Sequence, residues 1–241
     1  MKIPAIVFAF SLPFMNIITV QAQTADEIVN KWTDAMGGRE KLASMQTVYS
    51  ENEINIMNNP APNKAYLING KGYKSETEFN GQTIIDCYTV NNGWSINPLA
   101  GQATAAVMPA SQIKLGQLQL DAAGPLYNYA SKGSKIEFLG KEDIKGNAAY
   151  KIGLTTAAGL QVTFFIDSVS YYIQKELIKI NANGQDIEMT YTFSDIRKTP
   201  EGFMLPYSVE LNLPGLDLSV TIKKVEINKE INPAIFEMPK N

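Results

Sequence analysis

The chain has 241 residues, 21 basic and 24 acidic side chains, a net charge of −3 and no histidine. That balance argues against nucleic acid as a partner, because no basic tract is present to neutralise phosphates. The missing histidine removes Ser-His-Asp and Cys-His catalysis, histidine-based zinc sites and the common haem ligations.

Lys2, an apolar stretch over residues 3–20, and the small-x-small tripeptide Val20-Gln21-Ala22 predict a secretory signal peptide cut after Ala22. Pro4, Pro13 and Asn16 interrupt the stretch, which argues against a membrane-spanning helix. The predicted organisation is a leader over residues 1–22 and one domain over residues 23–241, a size that suits a single all-β unit. Cys87 is the only cysteine, so no internal disulfide forms; no cysteine follows the cleavage site to carry a lipid. A buried small hydrophobe is the expected role of Cys87.

Thr24 and Glu27 form a T-x-x-E capping box, and Ile28, Val29, Trp32, Ala35 and Met36 recur at helical spacing, predicting a helix over residues 24–36. Gly37-Gly38 ends it, and residues 39–45 read as a second short helix. From Thr47 onward the period is two. Asn-Gly pairs at Asn69, Asn80, Asn92 and Asn183, with Gly146-Asn147 and Glu201-Gly202, mark turns; Asn69-Gly70 fits a bulge equally well. Ten or eleven strands are predicted.

The period breaks over residues 99–133, where Ile113, Leu115, Leu118, Leu120, Leu126 and Tyr127 are scattered among Ala, Gly and Gln. One or two short helices are predicted there, split at Gly124-Pro125. Beyond it the alternation is clean. Tyr150, Ile152 and Leu154 share one side, as do Leu160, Val162, Phe164 and Ile166. The same holds for Ile187, Met189, Tyr191 and Phe193, for Phe203 to Leu211 in steps of two, and for Leu218, Val220 and Ile222. One oily and one wet face per strand is the mark of an antiparallel sheet covered on one side. In the N-terminal half, Ile84 and Tyr88 oppose Ile85 and Cys87, leaving open which face is inner.

Candidate chemistry is thin. Ser111 and Lys114 fit S-x-x-K, but Ser194-Asp195-Ile196 and Lys198-Thr199-Pro200 lack the companion Asn and Gly. The carboxylates Glu51, Glu53, Asp86, Asp167 and Asp195 occur singly and read as a solvated face. There is no phosphate loop, no calcium loop and no implied cofactor or metal. A sheet of this size twists and curls, so its apolar face becomes concave. The covers available are the first helix and the 99–133 insertion. Either they and inward rings such as Tyr191, Phe193, Phe164 and Phe203 fill the interior, or an apolar cavity remains.

A set of short matches runs in order across the chain. It comprises Ala25-Asp26-Glu27-Ile28-Val29, Gly37-Gly38-Arg39-Glu40-Lys41-Leu42, Asn92-Gly93-Trp94, Gly124-Pro125-Leu126 and Leu139-Gly140-Lys141-Glu142. Gly146-Asn147-Ala148-Ala149-Tyr150-Lys151-Ile152, Phe165-Ile166-Asp167 and Phe236-Glu237-Met238-Pro239 complete it. In these residues the chain resembles the periplasmic lipoprotein-carrier superfamily (LolA/LolB-like), in its outer-membrane lipoprotein-sorting branch.

The resemblance implies a mainly β (α+β) fold: a single curled antiparallel sheet, an open half-barrel of about eleven strands, covered by a few short helices. It also implies a soluble periplasmic carrier, not an enzyme and a monomer, that shields acyl chains of lipoproteins or other lipids on their way to the outer membrane. Transient contact with inner- and outer-membrane machinery would load and unload it. Such carriers latch their lid with a basic residue in an early strand; the matches above leave that position unassigned. Expected ligand-binding residues are Trp94, Ile113, Leu115, Leu118, Leu120, Leu126, Phe164, Tyr191 and Phe193. One sixteen-carbon chain removed from water contributes about 12 kcal/mol before ordering costs. In the unloaded protein, Leu115, Leu118, Leu120 and Leu126 are expected to fold inward into the lipid's place. The alternatives are a non-catalytic envelope structural or adaptor domain with a filled core and, remotely, a serine hydrolase using Ser111 and Lys114.

Overall fold

The computed structural model describes residues 23–182, 185–213 and 215–240, so the assigned leader and the Asn183-Gly184 turn lie outside the described residues. The first helix, α1 (Ala25–Ala35), starts as its sequence requires. The Thr24 hydroxyl accepts from the Glu27 amide and the Glu27 carboxylate accepts from the Thr24 amide, a cap that contributes about 1 kcal/mol. A short α2 (Arg39–Ala43) follows across Gly37 and Gly38, whose φ angles of 119° and 91° only glycine adopts without strain.

Thirteen strands then form one antiparallel sheet. The N-terminal set is β1 (Thr47–Ile56), β2 (Asn59–Ile68), β3 (Gly72–Phe79), β4 (Gln82–Thr89), β5 (Gly93–Asn97) and β6 (Gln102–Val107). The C-terminal set is β7 (Lys135–Ile144), β8 (Asn147–Thr155), β9 (Gln161–Asp167), β10 (Ile173–Ala182), β11 (Gln185–Lys198), β12 (Met204–Leu213) and β13 (Leu216–Ile227). The order is β6-β5-β4-β3-β2-β1-β13-β12-β11-β10-β9-β8-β7. Each set is a meander, and β1 pairs with β13 to join them. The two edges are therefore β6 and β7, consecutive in the chain but at opposite ends of the sheet. The insertion between them, which carries α3 (Ala110–Gly116) and two short 3-10 turns, must cross from edge to edge.

The strand count exceeds the expected eleven for two reasons. The β1–β2 turn has no glycine: Met57 and Asn58 themselves take φ of 50° and 66°, the twist a two-residue hairpin demands. And β6 is drawn from the Ala-rich stretch read as helix and loop, where pairing with β5 overrides weak propensity. Asn69-Gly70 proves to be a turn between β2 and β3 rather than a bulge, since those strands pair antiparallel from Ile68 and Gly72 outward.

Three buried clusters hold the fold. The largest joins Ile28, Val29 and Trp32 of α1 to Tyr150, Ile152 and Leu154 of β8, Val162, Phe164 and Ile166 of β9, and Leu126 of the insertion. At about 1.5–3 kcal/mol per large apolar side chain, it anchors α1 over the β7–β11 side of the inner face. A second, with Leu42, Met45, Phe203 and Ile227, seats α2 beside the β1 and β13 ends. The third lies on the outer face. There Ile68, Cys87, Trp94 and Ala105 are covered by Phe236, with Ile231, Ile235 and Met238 packed alongside.

Candidate functional site

The sheet is curled tightly enough to bring distant strands together. Tyr73 on β3 and Tyr191 on β11 are five strand positions apart, roughly 24 Å in a flat sheet. Yet they interact electrostatically: burial first, then the Glu176 charge, then Tyr73 push the Tyr191 hydroxyl up to about 12. At a flat-sheet distance screening would erase such an effect. Tyr88 on β4, raised first by burial and then by Asp86, also feels Tyr191. The inner face is concave.

Strand register lays out that face in rows. One row runs Phe138, Ile152, Phe164, Glu176, Tyr191, Leu211, Leu218, Ile56, through directly paired positions from β7 to β1. The next runs Phe193, Val209, Val220, Ile54, Ala61 from β11 to β2. Phe138, Ile152 and Phe164 pack under α1. Phe193, Val209, Val220 and Ile54, with Leu218 and Ile56, are only half-buried and belong to none of the three clusters. An oily strip thus continues past the cover that α1 and the insertion provide.

The N-terminal half of the same face is different in kind. The row Ser50, Ala65, Ser75, Asp86, Ser95, Ala106 crosses β1 to β6 with small or polar side chains. Beside it, the Asn63 amide donates to the Ser75 and Thr77 hydroxyls at 2.8 and 2.9 Å and accepts from Asn52 at 2.8 Å. Here the apolar positions Ile85, Cys87, Trp94 and Ile96 point outward, beneath the C-terminal segment. This resolves the mixed pattern of β4: Ile84, Asp86 and Tyr88 are inner, Ile85 and Cys87 outer.

Each expected ligand-binding residue can now be placed. Leu126 and Phe164 are fully buried in the α1 cluster, with Leu115 and Leu118 packed at its margin. Tyr191 and Phe193 stack at 6.4 Å on the concave wall. Ile113 on α3 packs toward Gly93, where a Cβ would meet its Cγ1 at 2.9 Å. Leu118 and the buried Leu120 line an open cleft of about 570 Å³ between the insertion, α2 and the β8–β9 turn. Trp94 is a correction. It is 2 % exposed on the outer face, its Nε1 donating to the Phe236 carbonyl at 2.9 Å, because β5 alternates Gly93 inward and Trp94 outward.

The insertion carries its own internal tie. Lys132 pairs with the Asp121 carboxylate and donates to the carbonyls of Gly124, at 3.1 Å, and Tyr127. It ties the insertion's turns to one another. α3 is seated by close approach: a Cβ on Gly116 would fall 2.1 Å from the Tyr88 ring.

One inner-face carboxyl, Glu176, escaped the sequence reading, and a second, Asp86, departs from its expected place on a solvated face. Glu176, half-buried between Phe164 and Tyr191, has its carboxyl pushed up to about 7 by burial. Burial raises Asp86 too, so it is no solvated-face residue. The signal was present: Glu176 shares parity with Ile178 and Ile180, and Asp86 with Ile84 and Tyr88. Cys87 is fully buried and its thiol is pushed up to about 12, chiefly by burial. Ser111 is exposed on α3, and among the described residues its hydroxyl has no hydrogen-bonded partner, Lys114 included. Among the described residues no group of three or more Cys, Asp or Glu could hold a metal, and no helix is long and apolar enough to cross a membrane.

No protein-family model and no curated protein matches the sequence. Solved structures do. A LolA superfamily protein from Nitrosomonas europaea aligns with a TM-score of 0.59 at 12 % identity, over 90 % of this chain and 98 % of that one. A DUF1329 family protein from Desulfovibrio piger gives 0.59 at 13 %, over 88 % and 96 %. An outer membrane lipoprotein-sorting protein domain from Vibrio parahaemolyticus gives 0.54 at 13 %, over 87 % and 94 %. The chain has a LolA-like fold: one mostly β, open antiparallel sheet with a few short helices.

Proposed function

We propose that this protein is a periplasmic carrier that holds acyl chains of a lipid or lipoprotein against the concave wall and delivers them toward the outer membrane. One observation carries the reading. The apolar strip of Phe193, Val209, Val220, Ile54 and Leu218 lies on the inner face, half-buried and outside every packed cluster. A soluble domain gains nothing from leaving such a strip uncovered unless something else covers it. The fold shared with a LolA superfamily protein supports the same reading. Leu118 and Leu120, beside the cleft, form the movable cover, and an acyl chain takes their place on loading.

Mass spectrometry of lipids retained by protein purified gently from its native envelope tests the proposal; acyl lipids in near-stoichiometric amount are expected. Replacing Leu118 and Leu120 together by Asp weakens pickup of a fluorescent fatty-acid probe about tenfold or more, since each burial is worth over 1 kcal/mol. A second reading, an adaptor domain with a filled interior, draws on the solid packing of Leu126, Phe164 and Trp32 on the β7–β11 side. It predicts no retained lipid and an unaffected double variant.

A further inference from the structure

The open cleft of about 570 Å³ between the insertion, α2 and the β8–β9 turn is lined by two kinds of side chain. Leu42, Leu118, Leu120 and Leu160 give it an apolar wall, all but Leu118 buried. Its charged groups are Lys114, Lys132 and Asp121. Lys132 and Asp121 pair with each other and cancel. Lys114 is left over: it is half-buried, and among the described residues no carboxylate or other acceptor meets it. Local helical geometry puts it there. The backbone keeps right-handed helical angles through Gly116 and Gln117, so Lys114 and Leu118, four positions apart, lie on one face. Ser111, the other half of the S-x-x-K match, is not among the residues that line the cleft. A cation set beside leucines loses part of its hydration with no partner to replace it.

We propose that Lys114 receives the headgroup of a long-chain carboxylate whose acyl chain lies along Leu118 and Leu120, which makes a free fatty acid the ligand of this cleft. This rests on the carrier reading above and specifies its ligand. With Lys132 and Asp121 paired, the cleft carries one uncancelled positive charge, the complement of a monoanion. The lysine ammonium has three donors and no acceptor, and a carboxylate takes a charge-assisted hydrogen bond from it. A methyl ester buries the same chain but brings no charge. An alkylammonium is repelled and has nothing to accept with. A phosphate monoester carries close to two negative charges at neutral pH, one of them unmatched here and near Asp121. The volume is in the range of clefts that take one small ligand.

The test is displacement of an uncharged fluorescent acyl probe at about pH 8, where a dissolved carboxylate is ionised. The competitors are palmitate, methyl palmitate, hexadecylamine and hexadecyl phosphate, each below its micelle concentration. Palmitate is expected to bind wild type about fivefold more tightly than methyl palmitate, as suits a half-exposed ion pair. That ratio should fall to about one in Lys114→Met and persist in Lys114→Arg, and in Lys114→Glu hexadecylamine should become the tightest competitor. A ratio near one in wild type, a ratio unchanged in Lys114→Met, or hexadecylamine or hexadecyl phosphate as the tightest wild-type ligand would each overturn the carboxylate site while leaving the carrier standing. If the uncharged probe does not bind and no competitor is retained, the carrier reading itself fails and the site falls with it.

Discussion

Trp94 donates its indole hydrogen to the Phe236 carbonyl at 2.9 Å, so the C-terminal segment is fastened to the outer face of β5 and not to the hollow. Cys87 lies under the same strap, its Sγ 3.5 Å from that carbonyl. Trp94→Phe removes the bond and leaves a buried carbonyl short of a donor, at a cost of about 1–2 kcal/mol. A fall in Tm of a few degrees is expected for a domain of this size. Acyl-probe affinity stays unchanged, which titration of the probe will check; a cavity-lining Trp94 would have weakened it.

Cutting the strap has a sharper signature. Phe236→Ala empties the space the ring fills against Gly72, where a Cβ would lie 2.6 Å away, and costs about 3 kcal/mol. It also opens a path to Cys87. The wild-type thiol, buried and pushed up to about 12, resists a thiol reagent under native conditions. The variant should react within the same time course.

Glu176 predicts an unusual pH profile. Its carboxyl ionises near 7 in the folded protein, against an ordinary value of 4.5. Between those values the folded chain keeps a proton that the unfolded chain has lost, so stability falls as pH rises from about 4.5 to 7 and then levels. The upper limit is roughly 3 kcal/mol. Asp86, raised by burial, adds in the same direction. Asp167 and Glu226, both lowered in the fold, act oppositely and only below that window. Glu176→Leu should flatten the profile and raise Tm at about pH 8 by roughly 5 °C, read by thermal denaturation across a pH series.

The insertion's internal latch should govern how readily the cover moves. Lys132→Met deletes the cation that bonds Asp121, Gly124 and Tyr127 at once. Limited proteolysis should then cut between residues 116 and 133 several-fold faster, and probe uptake should speed up more than affinity changes. Unchanged proteolysis would mean that packing of Leu126, not the lysine, holds the segment.

Gly116 offers the complementary change. Any side chain there meets the Tyr88 ring at 2.1 Å, so Gly116→Ala must push α3 off β4, at about 1–3 kcal/mol. Reduced quenching of a probe seated beside Tyr88, or a lowered Tm alone, separates a displaced cover from simple loss of stability.

How much was legible beforehand depends on where in the chain one looks. From Tyr150 onward the strands alternate because their outer face has no second oily cover, Phe165 being shielded only by Lys151 and Lys175, and the inner residues of β8, β9, β11, β12 and β13 could be assigned by parity. Thr24 and Glu27 marked α1 for a similar reason: the cap is local. Between Thr47 and Val107 parity failed, because the outer face there has its own oily cover in residues 231–238, more than a hundred positions away in sequence. Trp94 was misplaced on that account. β6 was missed because its pairing with β5, not its own residues, makes it a strand.

Composition and alternation alone determined that this is an antiparallel β protein without histidine chemistry or disulfides. They determine this because backbone pairing and side-chain period are local properties. Only the tertiary structure decided which face is inner, that β1 meets β13, that Tyr73 comes near Tyr191, and that Glu176 stands unpaired among apolar neighbours. Those are facts of register and curl, set by which strands meet across the whole sheet, and no window of sequence contains both partners.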